Sequence, residues 1–309
     1  MKIVFMGTPD FAVSSLESLY KRGHDIDLVI TQEDKPRGRG KKFKPTPVKE
    51  KALELGIEVF QPENINDVKS IERIKSIKPD FLVVVAYGQI LKSDILNIPK
   101  YKALNIHASI LPKYRGAAPI NWAIILGEKE TGITIMDMDE GLDTGDILLF
   151  EKIGINNDDD FFTIHNKLSE IGSRLILDAI DRITEEKITP IKQDDNLSNY
   201  APMIFKDTGE IDWNRSKEEI FNLVRGLQPR PAAYTIYKDE KVKIHNVEYE
   251  DSLEEVENGK IVKVSKEGVF VKVKNGIIII KELQFPGKKR LSVRDYLAGN
   301  EIEEGLILK

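Results

Sequence analysis

Asn105, His107 and Asp143 carry the chemistry that the sequence offers most plainly. Asn105 and His107 stand two apart at the end of an apolar run, and in an extended strand residues i and i+2 share a face. A side-chain amide and an imidazole would then stand side by side. Asp143 lies in the glycine-rich stretch Asp139-Glu140-Gly141-Leu142-Asp143-Thr144-Gly145-Asp146, where it can add a carboxylate. Acyl transfer to an amine requires these three types: a donor for the developing oxyanion, a ring for the amine proton and a charge beside the ring. Taken singly, Asn-x-His reads as a structural pair and Asp between glycines as a turn residue. Only their meeting in one place would make a site.

The surrounding pattern must bring them together. Residues 3–6, 28–31 and 81–86 are short continuous apolar runs, suited to strands buried on both faces of a parallel sheet. Residues 103–108 and 133–138 are two further strand candidates. Helical patterns lie between them at 11–20, 68–77 and 117–126, and at 48–55, where Thr46-Pro47 supplies a cap and Gly56 a stop. A long closing helix is predicted over 161–183. This alternation predicts a doubly wound α/β domain over residues 1–188. Such sheets bind ligands beyond the carboxyl ends of their strands, near a topological switch point. Asn105 and His107 lie toward such an end and Asp143 follows another strand, so one crevice is expected to collect all three.

Residues 189–205 are poorly periodic, with Pro190 and Pro202, and read as a linker. Over 206–309 the pattern changes. Ser216 and Glu219 form a capping box that opens a helix to about 224, and turns are signalled at Lys238-Asp239-Glu240, Glu267-Gly268 and Asn275-Gly276. A small β-barrel is the expected fold of this part.

The absence of cysteine excludes disulfides, thiolate nucleophiles and Cys-ligated metals. No apolar run approaches a membrane span, and the chain enters a strand at residue 3 without a signal-like segment, so a cytoplasmic location is expected. His24, His165 and His245 lack a matching constellation and read as structural; no His or carboxylate spacing suggests a metal. No Gly-x-Gly-x-x-Gly follows the first strand, although Gly7-Thr8-Pro9 offers a turn before a helix N-terminus.

Net charge is −5, and residues 206–309 hold 19 basic and 19 acidic side chains. A polyanionic partner must therefore be met by local patches. The strongest runs from Lys35 to Lys49, with seven basic residues and no acid, and it follows a strand that ends on the ligand side of the sheet. A second is Lys288-Lys289-Arg290 with Arg294. A solvated loop is the plainer reading of the first run taken in isolation, and an ordinary solubilising turn is an equal reading of the second.

Longer motifs sharpen this. Met6-Gly7-Thr8-Pro9-Asp10-Phe11, Gly38-Arg39-Gly40-Lys41, Ala86-Tyr87-Gly88, the segment 105–116, the segment 139–146 and Gly209-Glu210-Ile211-Asp212-Trp213 are all present. With them the chain resembles the folate-dependent formyltransferases, and among these the methionyl-tRNA formyltransferase family, over essentially its whole length. The resemblance implies a Rossmann-like doubly wound formyltransferase domain followed by an OB-like β-barrel that binds tRNA. It implies that Asn105, His107 and Asp143 are catalytic. It places folate against Ser109, Ile110, Leu111 and Pro112, with the pterin between the turn of Ala86, Tyr87, Gly88 and Ile90 and the loop of Asp139, Glu140 and Gly141. It implies 10-formyltetrahydrofolate as donor, without a metal, and methionyl-initiator-tRNA as acceptor. The acceptor end would be met by Arg39, Lys41 and Lys42. The patch of Lys288, Lys289 and Arg290 would track the acceptor stem. A monomer is expected.

Two departures are visible: Ile110 stands where the family has Leu, and Pro229-Arg230-Pro231 where Pro-Trp-Pro is common. In the implied reaction Asn105 donates to the oxyanion. His107 is either a cationic stabiliser or a general base, and Asp143 either supports the ring or relays a proton through water. Other readings are a formyltransferase acting on a sugar-nucleotide amine, a formyl-folate hydrolase, and a non-catalytic tRNA-binding relative. The basic loop and the barrel speak against the first two, the intact trio against the last.

Overall fold

Continuous burial turns the apolar runs into the strands of one sheet. The computed structural model describes residues 1–37, 42–253 and 255–309. Arg39 and Lys41, expected to contact tRNA, lie outside the described residues, and Lys42 is described only as backbone. In chain order the first strands are β1 (Lys2–Gly7), β2 (Asp25–Ile30), the short pair β3 (Lys35–Arg37) and β4 (Lys42–Lys44), β5 (Val59–Phe60) and β6 (Phe81–Val85). Then come β7 (Lys102–His107), β8 (Arg115–Gly116), β9 (Glu130–Asp137), β10 (Ile147–Gly154) and β11 (Tyr200–Ala201). The helices among them are α1 (Val13–Lys21), α2 (Pro47–Glu54), α3 (Val68–Ile77), α4 (Ser93–Leu96), α5 (Pro119–Ile125) and α6 (Phe161–Thr184). Local chemistry starts two of them: Thr46 accepts from the Lys49 N–H ahead of Pro47, and Asp67 accepts from the Ser70 N–H.

Seven strands form the main sheet in the order β10-β9-β7-β6-β1-β2-β5. The chain runs outward from β1 to β5, then returns to β6 on the other side of β1. The switch point therefore lies between β1 and β6, which pair in parallel with Gly7 opposite Val85. Ile3, Val4, Phe5, Leu82 and Val83 are fully buried. Each such side chain contributes about 1.5–3 kcal/mol, which fixes both strands.

One directional expectation fails. β9 runs antiparallel to β7, pairing His107 with Thr134 and Leu104 with Asp137. The carboxyl end of β9 is thus not at the His107 level, and Asp143 does not arrive there as the exit of a parallel strand. The loop from 138 to 146 has to travel back along β7.

The chain divides into two compact units, residues 1–119, 131–153 and 165–201 in one, and 120–130, 154–164 and 202–309 in the other. Segments 120–130 and 154–164, expected within the α/β domain, group with the second unit. Residues 189–201, read as linker, group with the first. β11 pairs in parallel with β8, and Ile191 bridges Ile147.

In the second unit, α7 (Lys217–Gly226) opens with the full capping box of Ser216 and Glu219. The strands β12 (Ala233–Tyr237), β13 (Glu240–Glu250), β14 (Ile261–Ser265), β15 (Gly268–Val273), β16 (Gly276–Gln284) and β17 (Leu291–Ser292) follow, with α8 (Val293–Tyr296) after them. They pair antiparallel in the order β12-β13-β16-β15-β14, with β17 on β16. Lys238 and Asp239 take the positive φ values of a two-residue hairpin loop. The edges β12 and β14 are joined by the segment 306–309: Lys309 exchanges backbone hydrogen bonds with Ile236, and Ile307 bridges Lys260. Ile220 and Val224 of α7 pack on the enclosed core with Trp213, Ile244, Val271 and Ile278.

Candidate active site

The register of β7 places Asn105 and His107 on one face, as their spacing requires. Both are buried, at 8 % and 5 % exposure. The returning loop then delivers Asp143. Its Oδ1 accepts from Asn105 Nδ2 at 3.4 Å, its Oδ2 accepts from the Gly116 N–H at 2.8 Å, and the same Oδ2 faces His107 Nδ1 at 3.6 Å. The three residues meet, by a different route from the one the strand pattern suggested.

The imidazole is held from its far side. His107 Nε2 lies 2.9 Å from the Tyr114 carbonyl. A carbonyl can only accept, so Nε2 carries a hydrogen and donates it. Nδ1, facing Asp143, is left as the nitrogen that can gain or lose a proton. The site thus presents an amide donor, a ring nitrogen that exchanges protons and a carboxylate within hydrogen-bond range of the amide.

Two glycines, one in the loop and one in β8, make this arrangement possible. At Gly145 a Cβ would fall 1.8 Å from the Asp137 carbonyl oxygen, and at Gly116 (φ +115) one would fall 2.9 Å from that of Ala201. Asp143 itself has φ 54, a left-handed conformation that Asp tolerates better than most residues. Gly145→Ala is expected to destabilise the protein by about 1–3 kcal/mol, as overpacking does, and to lower activity by displacing Asp143. Thermal unfolding and turnover of the variant check this; a variant matching the wild type in both would contradict it.

The segment after β7 is pinned to β9. Thr134 Oγ1 donates to the Ser109 carbonyl (2.7 Å) and accepts from the Leu111 N–H (3.2 Å). Ser109 is fully buried and its hydroxyl donates to the Lys113 carbonyl at 2.6 Å, so it shapes the turn. Leu111 packs on Met136 and Ile147. Ile110 and Pro112 are half-buried.

Beyond the end of β6, the strand that pairs with β7, Ala86 and Gly88 are exposed with positive φ (46 and 96), and Ile90 is 74 % exposed. Tyr87 differs: its ring is buried in the core with Val84 and Leu91, and its hydroxyl has no hydrogen-bond partner among the described residues. Burial pushes that phenol far above its ordinary pKa, so it stays neutral, and the Tyr87 carbonyl accepts from the Thr8 hydroxyl at 2.7 Å. Facing this turn, Asp139 accepts from the Gly141 N–H and the Thr144 hydroxyl, and Glu140 accepts from the Ser93 N–H at 3.2 Å. Leu142 is 53 % exposed.

Sequence reasoning missed Arg115, Gln193 and Thr134. Arg115 and Gln193 are buried, and Gln193 donates to the carbonyls of Asp143 and Gly145. The other histidines are engaged elsewhere. His165 lies 3.7 Å from Asp10 and edge-on to Phe11, His245 lies between Gln228 and Gln284, and His24 contacts the amino terminus. Among the described residues no cluster of three or more His, Cys, Asp or Glu could hold a metal ion, and no helix is long and apolar enough to cross a membrane.

Of the basic residues, Lys288, Lys289 and Arg290 are exposed beyond β16, and Arg290 pairs with Glu282. The β3–β4 pair presents Lys35, Lys44 and a 74 % exposed Phe43.

A donor amide, an imidazole with one nitrogen held by a carbonyl and a carboxylate are groups that can serve acyl transfer. Comparison with known proteins gives its kind. Residues 1–180 match the formyl transferase family model and residues 203–301 that of the formyl transferase C-terminal domain. The methionyl-tRNA formyltransferase of Clostridium tetani is 51 % identical and that of Clostridium acetobutylicum 50 %, each over 310 aligned positions covering the whole of both chains. Among solved structures, the sugar 3N-formyl transferase WlaRD is similar with a TM-score of 0.67 at 22 % identity, over 94 % of this chain and 99 % of that one. HypX from Aquifex aeolicus, in complex with tetrahydrofolic acid, is similar with a TM-score of 0.65 at 17 % identity, over 97 % of this chain and 47 % of that one. The chain belongs to the formyl transferase family, alongside its methionyl-tRNA formyltransferases.

Proposed function

We propose that this protein transfers a formyl group from 10-formyltetrahydrofolate to the α-amine of methionyl-initiator-tRNA, with Asn105, His107 and Asp143 as its catalytic residues. The convergence of these three on one strand face carries the reading, and whole-length identity of about half with methionyl-tRNA formyltransferases supports it.

The residues around the crevice fit the folate donor. Exposed peptide groups at Ala86 and Gly88 and the apolar side chains of Ile90 and Leu142 suit a flat bicyclic ring with polar edges. Ile110 and Pro112 add apolar surface. Ser109, Leu111 and the Tyr87 ring act from beneath, as supports of the walls. When bound, the donor supplies an activated formyl carbonyl.

The chain's own residues do the rest. One N–H of Asn105 reaches Asp143, leaving the second to stabilise negative charge on the carbonyl oxygen. His107 takes the proton released by the attacking amine on Nδ1, since Nε2 is committed to the Tyr114 carbonyl, and holds it until the bond from the formyl carbon to the departing folate nitrogen breaks and that nitrogen takes it. Asp143 balances the resulting imidazolium.

The acceptor is assigned from the basic surfaces. Phe43 between lysines suits base stacking beside phosphate contacts. Lys35, Arg39, Lys41, Lys42 and Lys44 would meet the acceptor end. Lys288 and Lys289, together with Arg290, would follow the stem backbone. Removing a lysine that neutralises one phosphate should flatten the salt slope of tRNA binding by about 0.7–0.9. The Lys288→Ala/Lys289→Ala pair is expected to flatten it by about 1.4–1.8 while leaving tetrahydrofolate binding unchanged, as read by filter binding over a salt series; an unaltered slope removes the patch from the interface.

The assignment of acceptor is tested by formyl transfer measured side by side on charged initiator tRNA, charged elongator tRNA and an amino-sugar nucleotide. Initiator methionyl-tRNA is expected to react fastest. Reaction only with the sugar nucleotide would overturn the reading.

A further inference from the structure

The segment read as a linker reaches into the site, and its contact is specific in kind. Gln193 Nε2 donates to the carbonyls of Asp143 (2.9 Å) and Gly145 (2.7 Å), one on each side of Thr144. Gln193 Oε1 accepts from Arg115 Nε (3.1 Å) and Nη2 (2.8 Å), and Nη2 also reaches Asp195 Oδ1 at 2.8 Å. Gln193 is 8 % and Arg115 2 % exposed. We infer that Gln193, oriented by Arg115, is a positioning residue for the reaction, holding the Asp143 carboxylate in place by clamping the loop backbone. The inference rests on Asp143 taking part in the reaction.

Guanidinium groups only donate, so the two Arg115 contacts fix which end of the Gln193 amide is oxygen. The NH2 end must then face the loop, where two carbonyls wait. Asp143 sits at φ 54, a backbone state that needs outside support in a non-glycine residue. Its carboxylate reaches the Gly116 N–H and faces His107 only while that backbone is held. Two features seat the clamp: Ile191 exchanges backbone hydrogen bonds with Ile147 at the loop's exit, at 2.8 Å each way, and β11 pairs with β8, the strand that carries Arg115 and Gly116. Removing the Gln193 amide leaves the two loop carbonyls without these donors and frees the peptide between them to turn. The carboxylate would then swing away from His107, a displacement that costs rate rather than substrate binding.

The test is a double-mutant cycle on the full chain with 10-formyltetrahydrofolate and charged initiator tRNA, comparing wild type, Gln193→Ala, Asp143→Ala and the double variant. Gln193→Ala is expected to lower kcat by about 10–100-fold, with KM for both substrates changed by less than about twofold. Its pH–rate profile should match that of Asp143→Ala. In the Asp143→Ala background the same substitution should change kcat by less than about twofold. An equal loss in both backgrounds, or no loss at all, overturns the inference. Wild-type activity in Asp143→Ala overturns the reading of the site itself, and the clamp with it. Should Gln193→Ala fail to fold, Arg115→Lys keeps the charge but removes the paired donors to Oε1. It is expected to give a smaller loss that again vanishes without Asp143; a loss that persists there overturns the clamp.

Discussion

Asn105→Ala is expected to lower kcat for formyl transfer about 10²–10³-fold, the usual cost of removing one oxyanion donor. Asn105 is almost fully buried on β7 and contacts Asp143 only through a long 3.4 Å hydrogen bond. Its truncation removes a donor aimed at charge that exists only in the transition state, so KM for either substrate should change little. Steady-state kinetics with a folding check by circular dichroism reads this out. A raised KM with kcat unchanged would assign Asn105 to ground-state binding instead.

The second large effect is expected from Asp143→Asn. The carboxylate accepts from Asn105 Nδ2 and the Gly116 N–H while facing His107 Nδ1. An amide has one acceptor oxygen. If it serves Gly116, its NH2 group opposes the Asn105 NH2; if it serves Asn105, the Gly116 N–H loses its partner. Either arrangement removes the charge that balances a protonated His107. A fall in kcat of about 10²–10⁴-fold is expected, the range of general acid–base contributions, together with a changed pH–rate profile. An unchanged rate and profile would exclude Asp143 from the reaction. In the same assay His107→Gln should fall within the same range, since it removes the exchanging nitrogen.

Asn105 and His107 were legible because a two-residue spacing in a strand fixes a shared face whatever the strand pairs with. Asp143 was legible from its glycines, which a tight loop demands. The route that brings it there was not. Whether β9 runs with or against β7 is set by pairing between residues some thirty apart, and an apolar run carries no direction. Tyr87 shows a similar limit: its place in the turn could be read, but the burial of its ring depends on the packing of β6 and its neighbours. The bracing of the turn by Ser109, whose hydroxyl donates to the Lys113 carbonyl and whose carbonyl accepts from Thr134, likewise depends on packing the sequence does not display. Gln193 and Arg115 were invisible, since one lies in an aperiodic stretch and their partners are remote in sequence. The hairpin at Lys238-Asp239 and the Ser216–Glu219 capping box are legible because their signals are local in sequence.

Formylation of an aminoacyl-tRNA at the Asn105–His107–Asp143 site can be read by mass spectrometry of the amino acid released from charged initiator tRNA after incubation with 10-formyltetrahydrofolate. The comparison is between the wild-type chain and an Asn105→Ala/Asp143→Asn variant shown to be folded. N-formylmethionine should form with the wild type and more than about 10³-fold more slowly with the variant. Unmodified methionine with the wild type, or formylation by the variant at the wild-type rate, would contradict the account.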